Sequence, residues 1–417
     1  MIDTTADETG RDFRRYLAAR TASVTGSLVS TVALPIVVYQ LTASAAWTSA
    51  VAAAEALPYL LFGLFAGAIA DRADRRALML VADFGGAVLL ATVPLAWFLG
   101  ILTAPHVLAV GFGVQSLFVL FDAANFGALP ALVGKRHLTG AYAKVYGTTT
   151  LAELVVPPLA GLLVAIAAPA PLIAINALTA LASGLLVRSI VRPLSTPQVP
   201  GARRTAKSLL TDIRAGLAFL AGNRVVRVLT LVGTTHSVAG GAYAAMLVPW
   251  ADQVLGVRPT GDWRIAVLFS GWGVGGLVAS RIVPRLTSRY GGARLALGAL
   301  PVSLACGCAV LLSAHWAAAA IAVTAWGAAH STVVINAITY RQQVSPDDLQ
   351  GRVNTTCRML SWGVGMPAGA ALAGAVAVSG AGPRAGIAGG IVVLSAGVLA
   401  AWCSVLRKES SSRGERK

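Results

Sequence analysis

Glu55 and Glu153 each lie deep inside a long apolar run. A charged side chain at the centre of a bilayer costs about 2.5 to 3.5 kcal/mol on insertion scales, so both are expected to face a cavity or a partner. Burial disfavours the ionised form of a carboxyl. An acid so placed can take up and release a proton, which is the chemistry of a proton-coupled exchanger: one site occupied in turn by proton and cargo. Arg20, Ser23, Ser27, Ser30 and Thr31 fall mainly along one face at helical spacing, and lipid cannot satisfy such groups. That stripe is therefore expected to face the protein interior. The run Thr234-Thr235-His236-Ser237 occupies the matching place in the second half of the chain, and an imidazole there can titrate in the physiological range. Asn176, His330 and Asn336 are further candidates. For all of these the competing reading is a static hydrogen bond between helices.

The elements that must carry these residues are membrane spans. Twelve apolar stretches are each long enough to cross the ~30 Å hydrocarbon core as a helix. They are expected at 16–41, 46–70, 77–100, 105–127, 144–167, 170–191, 226–254, 264–285, 293–313, 316–338, 355–379 and 385–406. The chain is 56% hydrophobic and 12% charged with a mean hydropathy of +0.72, well outside the range of water-soluble domains. All but Arg258, Arg264 and Arg384 of the 33 Lys and Arg residues fall at the termini, at span ends or in every second connection. Positive residues in short loops stay on the cytoplasmic side, which places both termini in the cytoplasm. The net charge of +16 is thereby assigned to anionic lipid head groups and not to nucleic acid.

Six spans fall on each side of a break. The expected organisation is an N-terminal bundle over 1–191, a cytoplasmic linker over 192–225 and a C-terminal bundle with a basic tail over 226–417. The linker opens with Pro193, Pro197 and Pro200. It continues with Leu209, Leu210, Ile213, Leu217 and Leu220 at helical spacing, the pattern of a helix lying in the head-group plane. The halves echo each other: Leu138 and Gly140 precede Pro158 and Gly161, as Leu349 and Gly351 precede Pro367 and Gly369. Internally repeated transporter folds show such echoes. Glycines in the eighth and eleventh spans suit close helix contact. Cys306, Cys308, Cys357 and Cys403 lack metal-ligand spacing. No phosphate-binding Gly-rich run and no catalytic triad is visible, so neither cofactor nor metal is expected.

Between the second and third spans the chain reads Gly67-Ala68-Ile69-Ala70-Asp71-Arg72-Ala73-Asp74-Arg75-Arg76. This resembles the signature loop of the major facilitator superfamily, with Ile69 for the usual Leu and Asp74 for a Gly that normally allows a tight turn. Phe13-Arg14-Arg15, Ala56-Leu57-Pro58, Ala128-Leu129-Pro130 and Leu349-Gln350-Gly351-Arg352-Val353-Asn354 extend the likeness, which is closest to the drug-efflux and siderophore-secretion branch. Pro157 stands where related antiporters carry Gly before Pro158.

The resemblance implies an all-α polytopic membrane protein, with twelve transmembrane helices in two pseudo-symmetric six-helix bundles around a central cavity. It implies that Gly67, Asp71, Arg72, Arg75, Arg76 and Asp122 form a gate. In it Asp71 faces the helix start near Asn354 and Thr355, and Arg75 or Arg76 reaches Asp122. Glu55, Glu153, Arg20 and His236 are the residues expected to couple transport to protons. The function expected is export of a small amphiphilic or apolar compound by proton antiport, from a monomer in the bacterial cytoplasmic membrane. Proton-coupled nutrient uptake and an intramembrane enzyme are the alternatives. Trp250, Trp272, Trp326 and Trp362 favour apolar or aromatic cargo.

Overall fold

The chain answers the absence of water with helices, the one open-chain structure that pairs every backbone donor and acceptor within a single segment. The computed structural model describes residues 4–70, 72–195, 206–345, 353 and 356–404. Among them there is no strand. In chain order the helices are α1 Thr4–Thr42, α2 Ala45–Ala70, α3 Arg75–Phe98, α4 Ala104–Gly134, α5 Gly140–Ile166 and α6 Pro169–Arg188. They continue with α7 Ala206–Gly222, α8 Arg224–Gln253, α9 Arg264–Tyr290, α10 Gly292–Leu312, α11 Trp316–Val344, α12 Thr356–Val378 and α13 Gly382–Trp402.

Among the described residues eleven helices are long and apolar enough to cross a membrane, and the count is twelve if the pair Arg214–Gly222 and Arg224–Gln253, bent by 108°, is taken as one span. The weaker apolar signal of α8 has a cause in its polar run Thr234 to Ser237. α4 and α5 form one continuous helical run broken only at Gly134, which has φ 71° and ψ 164°; that backbone is closed to residues with a Cβ. Within α12, Met359–Val364 adopts a π-helical turn, a local widening of the kind found at functional positions in helices.

The chain divides into two compact units. One comprises Met1–Val37 and Pro58–Leu209, the other Val38–Leu57 and Leu210–Lys417. The tip of the α1–α2 hairpin thus belongs with the C-terminal helices. There Tyr39 donates to Asp252 at 2.8 Å and accepts from Gln253 at 3.1 Å, while Gln40 reaches Thr260 at 3.1 Å. Of the amphipathic stripe in α7, Leu220 is buried with Val226, Val353 and Cys357, and Leu217 is exposed. The side chains of Leu209, Leu210 and Ile213 lie outside the described residues.

In the first unit the basic ends of the helices are laced to backbone. Asp12, 2% exposed, accepts from the amides of Val191 and Arg192 at 3.1 and 2.9 Å and from Arg15 at 3.1 Å. Arg15 also donates to the Ser189 carbonyl at 2.7 Å. A carboxylate paired to three donors at the end of α6 fixes where that helix stops.

Candidate functional site

In the first unit the polar face of α1 meets α4 in antiparallel register. Tyr16 donates to Asn125. One turn further along α1 and one turn back along α4, Arg20 lies 3.4 Å from Asp122. Tyr59 of α2 donates to the other Asp122 oxygen at 3.3 Å. The Arg20 guanidinium sits 5.8 Å from the ring centroids of Phe118 and Phe121, cation–π geometry that favours holding a charge among apolar side chains. Its Nη1 is buried and has no partner among the described residues.

This corrects the sequence expectation for Asp122, which pairs with Arg20 and Tyr59 instead of the loop arginines. The reason is visible in α4. Gly127 has no side chain, and a Cβ there would come within 2.3 Å of the Arg75 guanidinium. Arg75 lies in that space and donates to the Gly127 carbonyl at 3.0 Å. Arg76 donates to the carbonyls of Arg192 and Val191 at 2.6 and 3.4 Å. Both arginines therefore bind backbone.

The departure at Asp74 also has a structural meaning. Asp74 is the N-cap of α3, with φ −65° and ψ 117°, and accepts from the Arg76 amide at 3.0 Å. It also accepts from the Ser195 hydroxyl at 3.2 Å. No left-handed turn is needed, so glycine's freedom is dispensable here, and the acid satisfies an amide that a helix start leaves unpaired. A Cβ on Gly67 would meet nothing within 4 Å. Asp71, Asn354 and Thr355 lie outside the described residues.

Asp83 is a buried acid that sequence reasoning missed. It is 5% exposed and accepts from Ser183, itself fully buried, at 2.7 Å. An acid between Ala82 and Phe84 in the apolar third span is the same signal that marks Glu55. Glu153 on α5 is exposed and has no hydrogen-bond partner among the described residues.

In the second unit Glu55 is half-buried, again without a partner among the described residues. His236 is 1% exposed; its Nδ1 lies 2.9 Å from the Val232 carbonyl, which assigns the proton to Nδ1 and leaves Nε2 as an acceptor. The His330 ring is 5.7 Å away, and Trp272 stands 5.1 Å from His330. Tyr243, Trp272 and Trp326 complete the cluster, their ring centroids 5.2 to 6.0 Å apart. His236 Nε2, His330 Nδ1, Tyr243 Oη, Trp250 Nε1 and Trp326 Nε1 are all buried without a partner among the described residues. Such atoms call for water or a polar ligand.

Asn176 and Asn336 take the packing role. Asn176 donates to Ser30 at 2.7 Å, while Asn336 accepts from Thr287 at 3.4 Å and donates to the Thr332 carbonyl at 2.8 Å. Among the described residues no cluster of three metal-ligating side chains occurs.

Residues 8–416 match the family model described as transmembrane secretion effector. The multidrug efflux pump Tap of Mycobacterium tuberculosis is 29% identical over 286 residues, 65% of this chain and 66% of that protein. Macrolide efflux protein A of Streptococcus pyogenes is 26% identical over 225 residues, 54% of this chain and 55% of that protein. The matched stretch thus spans just under two thirds of the first relative's length and about half of the second's. Among solved structures, the nucleoside transporter NupG superposes with a TM-score of 0.72 at 11% identity, over 93% of this chain and 99% of that one. A bacterial homologue of the lysosomal transporter Spinster gives 0.70 at 12%, over 96% of each. At such identities these two speak for the fold alone.

Proposed function

Because the chain belongs to the transmembrane secretion effector family of the major facilitator superfamily, we propose that it exports a small amphiphilic or apolar compound by alternating access, as a proton antiporter. The observation that carries the reading is the set of membrane-embedded acids. Asp122 is held by Arg20 and Tyr59 and Asp83 by Ser183, while Glu55 and Glu153 keep their carboxyls unpaired among the described residues. A paired acid is a structural charge. An unpaired one in the hydrocarbon zone is a place where a proton can sit and be displaced. The efflux names of the relatives support export, and the aromatic cluster around Trp272 suits apolar cargo. The reading places the protein in the bacterial cytoplasmic membrane with both termini cytoplasmic, because the basic connections alternate.

Purified protein in liposomes tests this. An imposed proton gradient should drive movement of ethidium without altering it, and Glu55→Gln should abolish gradient-driven accumulation while leaving ethidium exchange at equilibrium. Unchanged coupling in the variant would clear Glu55 of the role, and a chemically new product would replace transport with catalysis.

A further inference from the structure

A groove of about 530 Å³ runs along one face of α1 from Arg14 to Thr25, walled by Thr148 of α5 and Thr179 of α6. These stretches of α1, α5 and α6 all belong to the first unit. Three of its threonines have spent their hydroxyls on their own helices: Thr21 donates to the Leu17 carbonyl, Thr148 to that of Lys144 and Thr179 to that of Asn176, at 2.8 to 3.1 Å. Their hydroxyls are thus satisfied within their own helices, and the groove's lining is chiefly apolar. With Leu17, Ala18 and Ala22 between them, the wall is aliphatic along its length and contains neither an acid nor an aromatic ring.

The charge is all at one end. Arg14 is exposed and has no ion-pair partner among the described residues. Lys144, one turn before Thr148 on the facing wall, extends its Nζ to 5.8 Å from the Phe13 ring. From Arg14 to Thr25 the groove covers eleven helical steps, about 16 Å at 1.5 Å per residue, against about 15 Å for one leaflet of a ~30 Å hydrocarbon core.

We propose that this groove holds an acyl chain of an anionic phospholipid from the leaflet on the basic side of the spans, its phosphate between Arg14 and Lys144. Length, aliphatic lining and a cationic end fit that ligand together. A cationic or aromatic cargo would meet like charge at the mouth and no ring or carboxylate within. The site is independent of the transport reading above.

The full chain, purified in micelles containing equal palmitoyl-oleoyl phosphatidylglycerol and phosphatidylcholine, is analysed by native mass spectrometry for retained lipid. Wild type should retain phosphatidylglycerol in preference. Arg14→Gln should cut that preference about five-fold, the effect of one basic residue at an anionic head group, while retaining lipid overall. The double variant Ala18→Phe/Ala22→Phe, checked for unchanged helicity and elution, should lose both lipids. No head-group preference in wild type, or retention unchanged in both variants, overturns the proposal. So does displacement of the lipid by glycerol 1-phosphate, which would reduce the site to an anion pocket. Loss of tetraphenylphosphonium binding with lipid retention intact in the double variant would make the groove a cargo site instead.

Discussion

Arg20 carries a full charge into a bundle that offers it one acid, whose other oxygen is taken by Tyr59, and two phenyl faces. Its worth lies in what each partner would cost if left alone. Asp122→Asn should destabilise the protein by about 1 to 3 kcal/mol, because an unmatched buried charge forfeits more than the pair gains. Adding Arg20→Gln should restore part of the loss, and melting in detergent across the double-mutant cycle checks this. Sequence reasoning singles out Arg20, Glu55 and Glu153 because a charge in an apolar run stands out in one dimension. It mispaired Asp122 because partner choice depends on the register of α1 against α4 and on the missing side chain at Gly127. Neither is written in the local pattern. His236 shows the same limit. Its place in a polar run marked it, while its contact with the Val232 carbonyl and its neighbour His330 come from backbone geometry and from a helix nearly a hundred residues away.

At the level of elements, glycine decides how close helices come. A Cβ on Gly275 would lie 2.1 Å from the Thr324 carbonyl oxygen, and one on Gly369 would lie 2.0 Å from that of Val238. Backbone cannot yield as a side chain can, so Gly275→Ala or Gly369→Ala should cost about 1 to 3 kcal/mol or more through forced separation of the pair. Gly67→Ala, with nothing within 4 Å, should leave the melting temperature unchanged. Export by the three variants then separates packing from gating: a Gly67 variant that melts like wild type but transports poorly would assign the motif glycine to motion. Helix positions were legible because length and hydropathy are local; α2, for example, was expected at 46–70 and runs Ala45–Ala70. The π-helical turn of α12 answers to tertiary packing, and composition alone does not carry it.

The α8–α9 connection adds a pH-dependent clasp. Arg264 forks onto Asp262, with Nε–Oδ1 at 2.9 Å and Nη2–Oδ2 at 2.6 Å, and this hydrogen bonding holds the Asp262 carboxyl below its ordinary range. A carboxylate whose folded value is depressed contributes stability above the unfolded value and loses it as pH falls through the folded one. Asp262→Asn should therefore melt below wild type at pH 7. The two curves should converge as pH drops under about 3.9, the unfolded-state value.

Across the whole molecule, the alternation of charge is a statement about which connections share a compartment. Arg289 ends α9 beside Tyr290 on the basic side, whereas Arg258 lies between α8 and α9 on the other. Both are exposed, so each can be read by a single introduced thiol. In a background with Cys403→Ser, Ser288→Cys should react with an impermeant maleimide only after the inner face is opened, and Arg258→Cys should react in intact cells. Reversal of both would invert the orientation while leaving the fold intact. Labelling of both positions from one side would break the span count, because an odd number of crossings must separate them if α9 traverses the bilayer. The placement of Arg14 and Lys144 at a lipid head-group level rests on the same alternation, and it would fall with it.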